Sequence, residues 1–416
     1  MNLMRDRSSK WDGLIVLCAV NNYDGTRMAD WHVAQCLSRL APVLFVDPPM
    51  SPVGLLRRNI PIPRTPLRLE QPALARLTPV VGPFPTRRAA TALTAGLAKA
   101  YLRRAVARLG GRTRAVISSW PQHAVFGACS EQVRVYWARD DFVGGAGLLG
   151  LDSDLVAECE RHIAATADVV VAATPAVAST WRERGLRAVL VPYGTDVAAY
   201  RDVERAPLPR DVHLPGPVAG FVGRLNQRTD LRLLEMIAAR GRSLLLVGPH
   251  DRDFARRRFD ALRLRPNVHW AGPKPFDALP GYLRLIDVGL VPYQDSAFNR
   301  GSFPLKTLEY LAAGRAVVAT DLPAARWLGT DLVTVTTSPE AFVDQVDRLL
   351  TQPRTDAMIA SRQAFAAGHS WALRAAQIYQ TIAERSADPR RRPCPPPEFP
   401  LAAELLPARR PEAEKL

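Results

Sequence analysis

The chain has 416 residues, is 47% hydrophobic and 23% charged, and sets 55 Lys plus Arg against 40 Asp plus Glu for a formal charge of +15. That composition can bury a large core, which excludes a disordered polymer, and the length fits two or three domains. The charge favours phosphate-bearing or otherwise acidic partners without choosing among them.

The first apolar run, Gly13 to Val20, is shorter than the about 20 residues that cross a bilayer, and no small-residue cleavage site follows it. Five scattered cysteines (Cys18, Cys36, Cys129, Cys159, Cys394) lack CxxC spacing. These features argue for a cytosolic, reducing setting, with membrane contact peripheral at most.

Short β-branched runs then alternate with helix-length amphipathic stretches. Strands are expected at 14–20, 43–46, 115–119, 133–137, 169–173 and 189–192, and again at 218–222, 244–247, 268–271, 288–291, 316–319 and 332–335. Most are apolar throughout, the pattern of a parallel sheet covered on both faces. Helices are expected between them, for example over 28–40, 152–167, 230–240 and 305–313. The expectation is α/β architecture with two doubly wound, Rossmann-like halves. The Pro- and charge-rich stretch 201–217 reads as the linker, dividing a first domain over 1–205 from a second over 206–370. A last helix over 371–386 is expected to pack back on the first domain, ahead of a disordered Pro/Arg-rich tail over 387–416.

Between Ser51 and Arg114 the basic residues are Arg57, Arg58, Arg64, Arg68, Arg76, Arg87, Arg88, Lys99, Arg103, Arg104, Arg108, Arg112 and Arg114, and Glu70 is the sole acid. Leu55, Leu56, Ile60, Ile62 and Leu67 are interleaved with the first of these. The segment reads either as a solvated basic face or as a surface for anionic lipid.

In open α/β sheets, ligands lie beyond the carboxyl ends of the strands, where helix N-termini favour phosphate. Two loops there carry suitable residues. Gly223 allows close backbone approach, Arg224 and Arg228 can pair with phosphate oxygens, and Asp230 can cap the next helix. Further on, Gly301, Ser302, Phe303 and Pro304 lead into a helix with Lys306 and Glu309 on one face. A cation there suits a diphosphate, and a carboxylate one turn deeper suits a vicinal diol. An ordinary loop and an ordinary surface ion pair remain the alternatives. In the first half, Asp24, Arg27 and His32 are candidates for acceptor or interdomain contacts, and Asp140 and Asp141 end a strand without DxD spacing. Gly145-Ala-Gly-Leu-Leu-Gly150 fits GxGxxG literally, but a dinucleotide site wants an acid about 20 residues on at the end of the next strand, and that strand ends at Ala172-Ala173-Thr174.

The stretch Pro304 to Thr320 resembles the donor-binding helix of GT-B glycosyltransferases of the group 1, family 4-like type. It is similar to the teichuronic-acid and exopolysaccharide branch. The resemblance continues through Phe221-Val-Gly-Arg224 with Arg228 and Asp230, Leu246 to Pro249, Asn267-Val268 before Gly272, and Ser370-Trp371. It implies two lobes facing a cleft, a UDP- or GDP-sugar as donor, a glycan or lipid-linked acceptor, retention of anomeric configuration, and no required metal or nucleic acid. Arg228 and Lys306 would bind the diphosphate with help from Arg224. Glu309 would hold the ribose, and His250 would lie near the base. The loop Gly301, Ser302, Phe303, Pro304 and Leu305 would line the donor site. Gly301 stands where the family often has an acid, so backbone amides around Arg300 to Phe303 are expected to make that contact. An epimerase or hydrolase on the same fold is the other enzymatic reading, told apart by conversion of donor without acceptor. A nucleic-acid binder rests on charge alone, since no RNA motif or helix-turn-helix is evident.

Overall fold

A computed structural model describes residues 9–57, 65–82, 88–122 and 125–387. Arg58, Ile60, Ile62, Arg64, Arg87, the side chain of Arg88 and the tail from 388 lie outside the described residues.

The first lobe runs β1 (Leu14–Cys18), α1 (Ala29–Leu37), β2 (Val43–Val46), α2 (Pro52–Arg57), β3 (Leu67–Gln71), β4 (Leu74–Leu77), α3 (Arg88–Leu109), β5 (Thr113–Ser118), β6 (Val133–Ala138), α4 (Ser153–Thr166), β7 (Val169–Ala172), α5 (Pro175–Glu183) and β8 (Ala188–Leu190). The second runs α6 (Val197–Tyr200), β9 (Val218–Val222), α7 (Leu231–Ala239), β10 (Ser243–Val247), α8 (Arg256–Arg263), β11 (Val268–Gly272), α9 (Leu279–Leu285), β12 (Val288–Val291), α10 (Ala297–Gly301), α11 (Leu305–Ala312), β13 (Ala316–Thr320), α12 (Pro323–Trp327), β14 (Val333–Thr336), α13 (Pro339–Thr351) and α14 (Asp356–Ala367). Helix α15 (Trp371–Ala387) ends the described chain.

Every strand expected from the apolar pattern is present. The sheets are ordered β3-β4-β2-β1-β5-β6-β7-β8 and β11-β10-β9-β12-β13-β14. All pairs are parallel except β3–β4. Central strands such as β1, β2, β6, β9 and β10 are buried along their whole length, as helices on both faces require. The β3–β4 hairpin is an addition to the expected strands. β3 escaped notice because it is a half-exposed edge strand carrying Arg68 and Glu70, with no apolar run to mark it.

The basic segment is less uniformly a surface than its sequence implies. Arg76 on β4 is buried, donating to Asp47 (2.6 Å) and Asp24 (2.6 Å). Arg114 donates to the Tyr379 hydroxyl at 2.9 Å, and Leu55 is in the core. Acids distant in sequence neutralise part of the run.

The stretch read as a linker also differs. Tyr200 and Val203 are buried in the second lobe's core, and Glu204 pairs with buried Arg315 at 2.8 Å. The crossing therefore precedes the proline-rich part. Helix α15 packs on α1, β5 and β6. Its Trp371, Ala375, Ile378 and Ile382 join Ile15, Leu17 and Val33 in one apolar cluster, which also takes in Phe303, Leu308, Ala324 and Leu328 of the second lobe.

One buried carboxylate fixes the upper edge of the first sheet. Asp30 accepts from Val20 N (3.2 Å), Asn21 Nδ2 (3.2 Å), Ser119 Oγ (3.1 Å) and Arg139 Nη1 (2.7 Å). These donors come from the loops after β1, β5 and β6. Removing one partner of a buried ion pair costs about 3–5 kcal/mol because the other charge is left uncompensated. Asp30→Ala is therefore expected to lower the urea unfolding midpoint by the equivalent of about 3–5 kcal/mol, with Asp30→Asn intermediate. An unchanged midpoint for Asp30→Ala would contradict this account.

Candidate functional site

Chain order reverses about one strand pair in each sheet: β1 and β5 in the first, β9 and β12 in the second. Such switch points leave a crevice where loops diverge. The loop after β9 and the segment after β12 meet at the second one. Gln294 N donates to Arg228 O (2.9 Å) and Asp230 N to Pro292 O (2.7 Å).

Helix α11 is tied to β9 by Tyr310, whose hydroxyl accepts from Val222 N at 2.8 Å and donates to Gly220 O at 3.3 Å. That anchor lays the Lys306 stem across Gly223, where any Cβ would collide with it. Lys306 Nζ is 3.9 Å from Glu309 Oε2. Burial pushes the Glu309 carboxyl above the usual range, and the Lys306 charge partly offsets this. Gly223, Lys306 and Glu309 thus form one group at the strand end.

Arg228 is oriented by residues the sequence reading passed over. Its Nε donates to Asn299 Oδ1 (2.9 Å), and its guanidinium lies over the Tyr293 ring (5.0 Å) and the Phe298 ring (4.9 Å). Asn299 donates in turn to the carbonyls of Arg228 (3.0 Å) and Gln294 (2.9 Å). The segment expected as loop contains the short helix α10, capped by Ser296, which accepts from Asn299 N at 3.2 Å. Five residues are too few for periodicity to show; the Ser296 cap was the available signal.

Arg224 is exposed and pairs with Asp251 at 2.7 Å. His250 stacks on Phe259 (centroids 3.9 Å apart), and its Nε2 lies 2.8 Å from Phe254 O. Pro304 precedes α11, half-buried Leu305 opens it, and Phe303 is buried against Tyr193 (5.9 Å). The amides expected to serve the donor are engaged within the chain in part: Arg300 N donates to Ser296 O (2.9 Å) and Ser302 N to Asn299 O (3.3 Å). The folding of α10 explains the difference, since its own turns use these groups.

The first lobe meets this loop directly. Ser302 Oγ donates to Asp140 Oδ1 (2.9 Å), and Thr174 Oγ1 donates to Gly301 O (3.0 Å). A Cβ on Gly301 would stand 3.1 Å from the Asp141 Cβ, so the missing side chain admits the opposite lobe. Burial holds the Asp140 carboxyl above its usual range, against the pull of Arg228, Arg139 and Ser302. Gly145 of the GxGxxG stretch packs under Phe298 of α10, a seam contact.

The other first-lobe candidates have partners of their own. Asp24 accepts from Arg76 (2.6 Å) and Arg68 (3.1 Å). Arg27 reaches across to Asp277 of the second lobe at 2.7 Å. His32 is buried, stacked on Trp371 (5.5 Å), and burial lowers its pKa to about 4. Among the described residues no group of three or more His, Cys, Asp or Glu side chains is placed to hold a metal.

Residues 216–352 match the family model described as glycosyl transferases group 1. TuaH of Bacillus subtilis, named for a glycosyltransferase role in teichuronic acid biosynthesis, is 40% identical over 111 residues, 26% of this chain and 28% of that protein. The chain thus aligns with under a third of that relative's length. Solved structures match far more of it. Sucrose-phosphate synthase from Thermosynechococcus elongatus superposes with a TM-score of 0.70 at 18% identity, over 89% of this chain and 98% of that one. Anabaena HepE in complex with UDP-glucose gives 0.59 at 15% identity, over 89% and 99%. The α,α-trehalose 6-phosphate synthase of Burkholderia multivorans gives 0.61 at 13% identity, over 90% and 99%. The two parallel sheets have the GT-B fold of these structures, and residues 216–352 of the second lobe are similar to the group 1 glycosyl transferases.

Proposed function

We propose that the chain transfers a sugar from a nucleoside diphosphate donor, UDP- or GDP-linked, to a hydroxyl of a glycan or glycolipid. The observation that carries this is the convergence at the β9/β12 switch point of Gly223, Lys306 and Glu309, with Arg228 on the adjoining loop. HepE, a protein of like fold, binds UDP-glucose.

In this reading the diphosphate lies beside Gly223, whose missing side chain leaves room for the Lys306 stem, with Lys306 and Arg228 on its oxygens. Glu309 accepts from the ribose hydroxyls. As the bond from the anomeric carbon to phosphate breaks, negative charge grows on the leaving oxygen. Fixed cations in a water-poor crevice stabilise that charge without reorganising. The acceptor oxygen bonds to the anomeric carbon on the face the phosphate leaves, and its proton passes to the departing phosphate, which gives retention. Metal independence follows from the same resemblance, with Arg228 and Lys306 supplying the positive charge.

A thermal-shift panel of UDP-, GDP-, ADP- and dTDP-sugars tests the donor. The matching one, at about 100 times its Kd, should add about 2.7 kcal/mol of stability. Lys306→Ala and Arg228→Ala should each lower kcat by about 10²–10³-fold. Unimpaired transfer at saturating donor would reject their roles.

Glu309 gives a pH prediction. Its folded-state pKa lies above the unfolded value, so its burial carries no charge penalty at low pH and destabilises the fold as pH rises through the raised value. The ribose contact needs the carboxylate, so kcat/KM should fall with acid through a limb above the ordinary Glu range. Glu309→Gln should flatten that limb while lowering the plateau. A limb that persists in Glu309→Gln would assign it elsewhere.

We also propose that the acceptor is met at an anionic membrane face. Within the basic segment 51–114, Val53 and Leu56 on α2, Leu93 and Leu97 on α3, and Arg57, Arg103, Arg104 and Arg108 are all exposed. No helix among the described residues is long and apolar enough to cross a membrane. The chain should float with phosphatidylglycerol vesicles, remain behind with phosphatidylcholine, and be released by salt. Equal behaviour with both lipids would remove this surface from the proposal.

A further inference from the structure

The loops after β1 and β5 carry three residues that no role described so far absorbs: Asn22, Trp120 and Gln122. Their placement follows from Asp30. One carboxylate receives Val20 N, Asn21 Nδ2, Ser119 Oγ and Arg139 Nη1, so these loops and the one after β6 are fastened within reach of a single side chain. Asn22, Trp120 and Asp140 each come next in their own loop. The β1/β5 pair is the switch point of the first sheet. Its edge faces the donor loop, since Asp140 Oδ1 accepts from Ser302 Oγ at 2.9 Å.

Trp120 is half-buried and braced edge-on against buried Phe142, with centroids 5.1 Å apart and planes at 75°. Its indole N–H donates to Gln122 Oε1 at 3.2 Å. That contact fixes the amide orientation, because the indole can only donate, and so the Gln122 NH2 is turned away. Gln122 Nε2 and Asn22 Nδ2 are both buried, and neither has a hydrogen-bond partner among the described residues. Asn22 itself is only 6% exposed. Buried unpaired donors are costly and call for a partner. A braced aromatic plate beside the Gln122 donor, with the Asn22 donor on a loop fastened to the same Asp30 carboxylate, suits an apolar C–H face rimmed by hydroxyls.

We propose that Asn22, Trp120 and Gln122 form the subsite for the accepting sugar, with the Trp120 indole under a pyranose ring and the two side-chain amides donating to its hydroxyls. The inference rests on the glycosyltransferase reading and names a site within it. Asp140 bonds the donor loop through Ser302, and its neighbour Arg139 shares Asp30 with the subsite loops, so in this proposal the acceptor hydroxyl lies on the side of the first lobe that touches Ser302.

The test uses the full chain, labelled at its indole nitrogens, with the Trp120 N–H resonance identified through Trp120→Phe. Glucose, galactose, N-acetylglucosamine and glucuronate are titrated singly, with and without saturating UDP. At least one should move the Trp120 resonance saturably. Asn22→Ala should weaken that sugar roughly tenfold, the size of one lost hydrogen bond, and leave UDP affinity unchanged. Trp120→Phe, which keeps an aromatic ring, should weaken the sugar less than Trp120→Ala. Sugar binding that leaves Trp120 unmoved, or no response to any of the four up to their solubility limits, overturns the subsite and assigns the two amides to ordered water. Because the sugars are also titrated without nucleotide, failure of UDP to bind overturns the donor reading separately.

Discussion

The carboxylate of Asp30 is the constraint on which the first lobe's working edge depends. A doubly wound sheet sends its loops in opposite directions at the switch point, and nothing in the strands themselves brings those loops together. Helix α1 delivers Asp30 over that gap, where four donors from three loops satisfy it. A charge buried this deeply is tolerable only when fully paired. The fold therefore holds the loops after β1, β5 and β6 in one arrangement or leaves an uncompensated carboxylate in the core.

The second lobe solves the same problem with a hydroxyl. Tyr310 reaches from α11 to the end of β9, taking one backbone donor and giving to one backbone acceptor. Lys306 and Glu309 ride on that helix, so the anchor sets where a cation and a carboxylate stand relative to Gly223. Arg228 is held differently, by an amide and two rings. Rings that cradle a guanidinium remove its water and leave its outer donors free for phosphate. Both devices spend ordinary packing groups on aiming the polar ones.

The sheets were legible in the sequence because buried parallel strands are nearly continuous apolar runs, and the cap at Asp230 marks a helix start by chemistry. Glycine and charge at strand ends pointed to Gly223, Arg228, Lys306 and Glu309. What stayed hidden was whatever depends on partners distant in sequence. Arg76 looked like part of a basic surface because Asp47 and Asp24 lie far from it in the chain. Helix α10 was too short to show a period, so Asn299 and its hold on Arg228 went unread. His32 was legible only as a candidate for acceptor or interdomain contact, because Trp371, which covers it, comes from the last helix of the chain.

The cohesion of the two lobes is mainly apolar. Arg27–Asp277 is partly exposed, and exposed pairs of this kind contribute about 0–1 kcal/mol. Phe303 and Leu308, by contrast, are buried in the same cluster as Trp137 and Trp371. The polar contacts, Ser302 with Asp140 and Thr174 with Gly301 O, set the register of that packing. The chain crosses between lobes near Thr195 and again near Ser370, and the crossings are bonded to each other: Thr195 N donates to His369 O at 2.9 Å and Trp371 N to Thr195 O at 3.2 Å. Gly194 lies so close to the Trp371 backbone that a side chain there would not fit. Two crossings fastened side by side permit rotation about their common line and resist sliding. The Ser302–Asp140 bond joins the lobes, whereas the contacts of Asp30 and of Tyr310 each lie within one lobe, so the two edges are arranged independently of the seam.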